Sequence, residues 1–432
     1  MLRATLRMAV LAAVALGLAT ASAQDFDWRR LEGTSIRFMM NQHPFTNWLQ
    51  PNVQEFEALT GINVTLEVFP EDQFRQRRIL EVSSAAPTLD GYMVMPGQVG
   101  AQYLGAGWMR YLDDFIADPT LTDPDLDLED FFGGALGTFQ SDQGLFGLPL
   151  QIESSVLFYR ADLFEAAGLS GPPETMDELM AYAAALETDT VAGFAMRGRG
   201  AAATSQTVNL LYSFGGSWMD EAGNSALASP ESIAAHEFYA ELMRNYGPPG
   251  PANLHWAEVT SLYAQGQAAM IFDANVFRPI MEDPAQAIDV VRENTRYAPL
   301  PAGPAGSVPG VLVWGLSVNH ASQNPEAAWY FIQWALSKES QESLLLFGVP
   351  AARGSSWENE EFQATAPADW IEASQVSFER GQPDWNPPVI PVAEVRDAYG
   401  QAIVAALEGR DIAAALQRAA TEVDQIVERS QR

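Results

Sequence analysis

The chain has 432 residues, 47% of them apolar, no cysteine and a formal net charge of −31. That apolar share builds sizeable cores and argues against a disordered chain. The missing cysteine excludes disulfides, thiolate metal sites and a thiol nucleophile, and the acidic balance repels nucleic acid and anionic lipid.

The N-terminus reads as an export leader over residues 1–23. Arg3 and Arg7 precede an apolar run at 8–18, and Ala21-Ser22-Ala23 forms a cleavage site before Gln24. The run is too short to span a bilayer, and no cysteine follows it for a lipid anchor. The mature chain is therefore expected in the periplasm, without direct membrane insertion, and its length suggests two domains.

Residues 35–40 (SIRFMM) read as a strand that ends in the polar turn Asn41-Gln42-His43-Pro44. A helix at 48–59, an alternating strand at 62–69, a helix at 72–83 and a strand at 89–95 follow. A glycine-stopped helix at 99–107 then leads into a strand-like stretch at 109–112. This β-α-β-α-β order predicts a doubly wound α/β lobe. The acidic loop 118–130 imitates a calcium loop only at its start: the sixth position is Leu128 and the twelfth Gly134, so a solvated loop is expected.

Next comes GLPLQIESSVLFYRADLFEAAGL (147–169), an apolar strand with one carboxylate, Glu153, near its start. Thr175 then opens a helix after Pro172-Pro173. Further on, a short strand is expected at 193–197, and helices at 206–214, 230–246 and 259–265. Strands are expected at 296–301 and 311–318, helices at 325–336 and 339–347, and one long amphipathic helical region at 392–430.

Catalytic templates are missing: there is no G-x-S-x-G, H-E-x-x-H or phosphate-cradling G-x-x-x-x-G-K-[ST]. His43, His236, His255 and His320 are scattered and none has a partner at metal-ligand spacing, so no metal, cofactor or enzymatic activity is expected. Ligands of α/β lobes bind at strand ends facing a crevice. Those ends carry Asn41, Gln42, His43, Gln98, Glu153, Arg197, Trp218, Trp256, Asp273 and Trp314. Charged groups that orient hydroxyls, mixed with flat aromatic faces that cover C–H surface, suit a polyhydroxylated small molecule.

The order of motifs also resembles the extracellular solute-binding proteins of carbohydrate ABC transporters. GLPLQIESSVLFYRADLFEAAGL is followed by PPETMDEL, GFAMRGRG (193–200), FGGSWMDE, FYAELMRNYGPPG, GQAAMIFD (266–273), PLPAGPAG and EAAWYFIQWALSKE. The RGRG strand end and the YGPPG break are most similar to the sorbitol/mannitol-type polyol-binding branch. The resemblance implies an α/β, two-lobed periplasmic binding protein fold of type II-like topology, with ligand in the inter-lobe cleft. Lobe one is then 24–153 plus 297–336 and lobe two 154–296 plus 337–432, with crossings near 153–156, 295–300 and 336–339. Relatives place a ligand-binding acid at the position of Glu153. They also use positions matching Asn41, Gln42, Arg197 and Asp273, and GVPAARG (348–354) adds Arg353. The implied partners are a sugar or polyol and the membrane permease subunits of the transporter, with the protein a monomer. Another solute (an oligosaccharide, glycerol phosphate or an opine) and an exported glycoside hydrolase are the rival readings. A phosphate is ranked below a neutral polyol because only Arg197, Arg199 and Arg353 are counted at the cleft.

Overall fold

The computed structural model describes residues 26–84, 88–382 and 385–431; the leader reading at residues 1–23 lies outside them. The first half opens with β1 (Ser35–Asn41), α1 (Pro44–Thr60), β2 (Asn63–Phe69), α2 (Glu71–Val82), β3 (Gly91–Val94) and α3 (Pro96–Gly105). β1 is central, parallel to both β2 and β3, and its apolar residues Phe38, Met39 and Met40 are buried. α1 stops at Gly61, whose left-handed φ of 71° lets its N–H close on the Glu57 carbonyl.

The chain then enters β4 (Leu148–Arg160), a strand of 13 residues buried over almost its whole length. After it come α4 (Met176–Leu186), α5 (Gly200–Ser213), α6 (Pro230–Asn245), α7 (Trp256–Ala264), β5 (Met270–Ala274), β6 (Thr295–Ala298) and β7 (Val311–Val318). α4 opens with a capping box in which Thr175 and Glu178 exchange side-chain and backbone bonds, as its sequence predicts. The C-terminal part adds α8 (Pro325–Ala335), α9 (Lys338–Leu346), α10 (Ala368–Arg380), α11 (Val392–Leu407) and α12 (Ile412–Ser430).

These seven strands form one sheet, in the order β2-β1-β3-β7-β4-β5, with β6 also paired to β4; residues 140–141 and 144–145 form a separate two-stranded hairpin. The joint is β4 itself. Its residues Leu148 to Ser154 pair antiparallel with β7, whereas Ser155 to Tyr159 pair with β5 and Leu157 to Arg160 with β6. One strand thus carries the chain from one half of the sheet to the other, and Glu153 sits two residues before the exchange. The polar groups freed there are satisfied: Ser154 N donates to Asn275 Oδ1 at 3.1 Å, and Asn209 Nδ2 to Ser155 Oγ at 2.8 Å. Tyr297 and Ala298 pair with Phe158 and Leu157, and Gly310 N donates to Asn209 Oδ1 at 2.7 Å. The chain between β6 and β7 therefore stays with the second half of the sheet until Val311.

Three expected elements come out differently. Residues 109–112 and 193–197 form only isolated bridges, Met109 with Asn319 and Ala195 with Ile271. The first stretch is hemmed between left-handed Gly107 and the helix Asp113–Ala117. The second starts at Gly193, where a Cβ would stand 2.0 Å from the Ala183 carbonyl oxygen; that close approach to a helix displaces a ladder. The helical tail is two helices, parted by left-handed Gly409 (φ 76°) and restarted by the Asp411 cap.

Candidate functional site

Strand alternation puts Gln151 and Glu153 on the same face of β4. There the Gln151 amide donates to Glu153 Oε1, and His43 Nε2 lies 3.1 Å from the same oxygen. His43 is the residue that turns β1 into α1, so the end of the first strand delivers an imidazole onto the carboxylate at the sheet joint. All three side chains are buried. The His43 ring is walled by Trp314, Phe277 and Trp256, with centroids 5.9, 6.0 and 6.4 Å away.

Opposite stands a second carboxylate, Glu71, the first residue of α2. Trp256, at the start of α7, stacks on Phe277 (centroids 5.0 Å apart, planes at 11°) and donates its indole Nε1 to Glu71 Oε2 at 3.0 Å. Arg75, one turn along α2, pairs with the same carboxylate. Burial alone pushes the Glu71 carboxyl up, but its cationic neighbours, Arg75 above all and Arg197 with it, outweigh burial and hold it well below the usual carboxylate range. Burial drives the neighbouring His255 imidazole down to about 3, against the pull of Glu71. His255 is neutral near pH 7, and its Nδ1 accepts the Trp256 backbone N–H at 2.8 Å.

Arg197 and Asp273 form the third group. Arg197 Nε donates to Asp273 Oδ2 at 3.0 Å and Nη2 reaches Oδ1; Gln206 Nε2 (3.3 Å) and the Ala274 N–H (2.8 Å) complete the carboxylate's partners. Burial works against the Arg197 charge, yet Asp273 more than compensates and keeps the guanidinium firmly protonated. These groups border a narrow chamber of about 20 Å³ at the sheet joint, which shares Glu71, Arg75, Arg197 and Ser205 with a wider one.

The chamber brings together four of the residues picked from sequence: Glu153, Arg197, Trp256 and Trp314. Asp273 stands directly behind Arg197. Gln98 lines an adjoining, wider chamber. Asn41 is wholly buried, with both amide atoms lacking a hydrogen-bond partner. Gln42 is exposed. Trp218 packs edge-on against Tyr399 and gives its Nε1 to the Trp385 carbonyl, outside the chamber lining. Arg353 is fully buried among the carbonyls of Leu126, Asp127 and Leu336, with Asp130 as its ion partner. His43, which the sequence places at the first strand end, also lines the chamber, as do Glu71, Arg75, Phe277 and Trp385, which the sequence does not single out. His43 was visible beside Asn41 and Gln42, but its residue type alone reads as a satisfied or exposed histidine.

Among the described residues no group of three or more His, Cys, Asp or Glu side chains is arranged to hold a metal, and no helix is long and apolar enough to cross a membrane.

Residues 42–342 match the family described as bacterial extracellular solute-binding protein. The chain is 27% identical over 343 residues to an erythritol/L-threitol-binding protein of Mycolicibacterium smegmatis, covering 76% of this chain and 71% of that protein. It is 27% identical over 349 residues to a mannitol-binding protein of Pseudomonas aeruginosa, covering 78% and 77%. Its fold superimposes on the ribitol complex of an ABC transporter solute-binding protein from Agrobacterium radiobacter K84, with a TM-score of 0.82, 27% identity, and coverage of 92% and 99% of the two chains. A solute-binding protein from Agrobacterium vitis S4 with bound D-mannitol gives 0.80 and 25% over the same shares.

Proposed function

The chain belongs to the bacterial extracellular solute-binding proteins, and from that membership we propose that it captures a sugar or sugar alcohol across the two adjoining chambers at the sheet joint and hands it to the membrane permease of an ABC transporter. The observation that carries this reading is the chamber's make-up: a buried carboxylate, Glu153, and a buried guanidinium, Arg197, face aromatic walls from Trp256, Phe277 and Trp314. Ionised acceptors and donors orient hydroxyls, while flat rings cover the C–H faces between them. The similarity to erythritol/L-threitol- and mannitol-binding relatives favours short, linear polyols.

We assign one lobe to the elements around β1 and β7 and the other to those around β5 and β6, joined through β4, through residues 299–310 and through the turn between α8 and α9. Ligand contacts from both lobes favour the closed arrangement over the open one. The permease then reads the closed shape, with the protein acting as a periplasmic monomer. A hydrolytic role has little support: Glu71 is held ionised by its cationic neighbours, the opposite of a general acid's need for a raised pKa.

A thermal-shift screen of erythritol, ribitol, D-mannitol and common mono- and disaccharides tests the proposal. A ligand at a hundredfold over its dissociation constant adds about 2.7 kcal/mol of stability. A panel without any shift would remove the carbohydrate reading.

A further inference from the structure

Six arginines are buried among the described residues: Arg78, Arg160, Arg197, Arg278, Arg353 and Arg396. Four have a carboxylate partner, namely Asp162, Asp273, Glu282 and Asp130. Arg78 and Arg396 have none within 4.0 Å among the described residues. Arg78 donates to the Tyr103 hydroxyl (3.1 Å) and the Met93 carbonyl (2.7 Å), between the Phe74 and Tyr103 rings. Arg396 donates to Asn386 Oδ1 (2.9 Å), the Ala201 carbonyl (3.0 Å) and Ser205 Oγ (2.9 Å). A buried charge without a counter-charge is expensive, and in a chain of net charge −31 there is no shortage of carboxylates to supply one.

These two arginines line the same cavity. It is the wider chamber, about 450 Å³, whose wall of Glu71, Arg75, Arg197 and Ser205 is shared with the inner chamber. Arg78 comes from α2 and Arg396 from α11, so two helices far apart in sequence each bring a cation to the cavity. The acids facing this cavity are otherwise engaged or wet: Glu71 is bound by Arg75, exposed Asp72 by Arg199 at 3.1 Å, and Asp397 is exposed. Two further groups point to a ligand. Ala201 and Ala202 at the start of α5 line the cavity, placing a helix N-terminus there. Gln98 Oε1, on a side chain only 7% exposed, has no hydrogen-bond partner and lines the same wall, ready to accept from a hydroxyl. Burial also draws the Arg396 pKa down to about 9, the mark of a cation held without sufficient compensation.

We propose that the outer chamber is a subsite for an anionic substituent, so that the physiological ligand is a polyhydroxylated acid, a sugar acid or a phosphate ester of a sugar or polyol, with its hydroxyls toward the inner chamber and its carboxylate or phosphate between Arg78 and Arg396. This rests on the polyol-capture reading above and adds a charged end to its ligand.

Titration calorimetry on the full protein tests it with matched ligands of one chain length: ribitol, ribonate and ribitol 5-phosphate, each at low and high salt. At least one acid is expected to bind about tenfold or more tighter than the alditol, as for added charge-assisted hydrogen bonds. The gap should shrink as salt rises, and the tighter acid identifies the group recognised. Arg396→Gln is expected to abolish the gap while leaving ribitol affinity within about twofold. Arg396→Lys, which keeps the charge, should restore part of it, and a thermal melt of both variants checks folding. Ribitol binding as tightly as both acids, or a gap that survives both Arg396→Gln and Arg78→Gln, overturns the anionic subsite and leaves the polyol reading standing. Absence of binding by all three ligands, and by the matching C4 and C6 series, overturns the polyol reading itself.

Discussion

The indole Nε1 of Trp256 donates to Oε2 of Glu71 over 3.0 Å, joining the first turn of α7 to the first turn of α2 across the chamber. The acceptor is already fixed, because Arg75 from the same helix holds the other oxygen. A second bridge to α2, from Arg199 at the start of α5 to Asp72 at 3.1 Å, is exposed on both sides, so it contributes little. Of these two polar links, the Trp256 bond to a mostly buried carboxylate is the stronger, and it sits beside the packing of His43 against Trp256 and Phe277.

Glu153 is expected to be the main acceptor for ligand hydroxyls. Removing its carboxylate as Glu153→Ala should weaken binding by about 1.5–3 kcal/mol, as for a lost hydrogen bond to a charged group. Glu153→Gln, which keeps shape but not charge, should fall between. Calorimetry with the best ligand from the thermal-shift panel decides it; an unchanged dissociation constant in both variants would take Glu153 out of the site.

Arg197 behaves differently, because its first task is to neutralise Asp273, which is wholly buried. In Arg197→Ala that carboxylate keeps only Gln206 and the Ala274 N–H. A loss of about 3–5 kcal/mol of folding stability is expected, the cost of an unpaired buried charge. The double variant Arg197→Met/Asp273→Leu should recover most of it while still binding ligand poorly. Urea unfolding of the three proteins tests the pairing; a single variant as stable as wild type would mean that Asp273 finds another partner.

The sheet joint was legible because an apolar strand rarely carries an acid, and Glu153 stood out against Leu148, Leu150 and Ile152. Aromatic type and strand-end position then led to Trp256 and Trp314. Glu71 and Arg75 escaped for a physical reason: the helix is expected only from residue 72, and the i, i+4 spacing the structure gives them is that of an ordinary solvated surface pair. Only the approach of α7 and His255 makes them chamber walls. Trp218 and Arg353 attracted notice by residue type, but their polar atoms are consumed by backbone carbonyls, a fate that depends on tertiary packing and leaves no local trace. The same limit hid Arg78 and Arg396, so the cations at the cleft were undercounted.

Two buried histidines make stability depend on pH. Burial lowers the His236 imidazole to about 4 and His255 to about 3, from 6.5. Between pH 6.5 and about 4 the unfolded chain binds protons that the folded protein refuses. Stability is therefore full above pH 6.5 and falls as pH drops, by up to about 1.4 kcal/mol per pH unit for each histidine. Glu71, whose pKa is depressed, adds its own loss only as pH falls below the ordinary carboxylate range. His236 lies on α6 against Tyr399, away from the chamber, so His236→Phe should lower the pH slope of the urea midpoint by about one proton without touching ligand affinity. An unaltered slope in that variant would mean that His236 is protonated in the fold.

Trp256→Phe isolates the bond between α7 and α2. A phenyl ring can still stack on Phe277, so the aromatic wall survives, but Glu71 Oε2 loses its donor. The open state loses nothing, because there the indole N–H and the carboxylate meet water. The substitution should thus weaken ligand binding by about 1.5–3 kcal/mol, and the loss should fall on the release rate, since breaking this contact belongs to opening and not to encounter. Stopped-flow measurement of association and dissociation separates the two. Faster release at unchanged association supports a clasp. Equal slowing of association would place Trp256 on the entry path, and wild-type rates would show that the closed arrangement is held by the ligand alone.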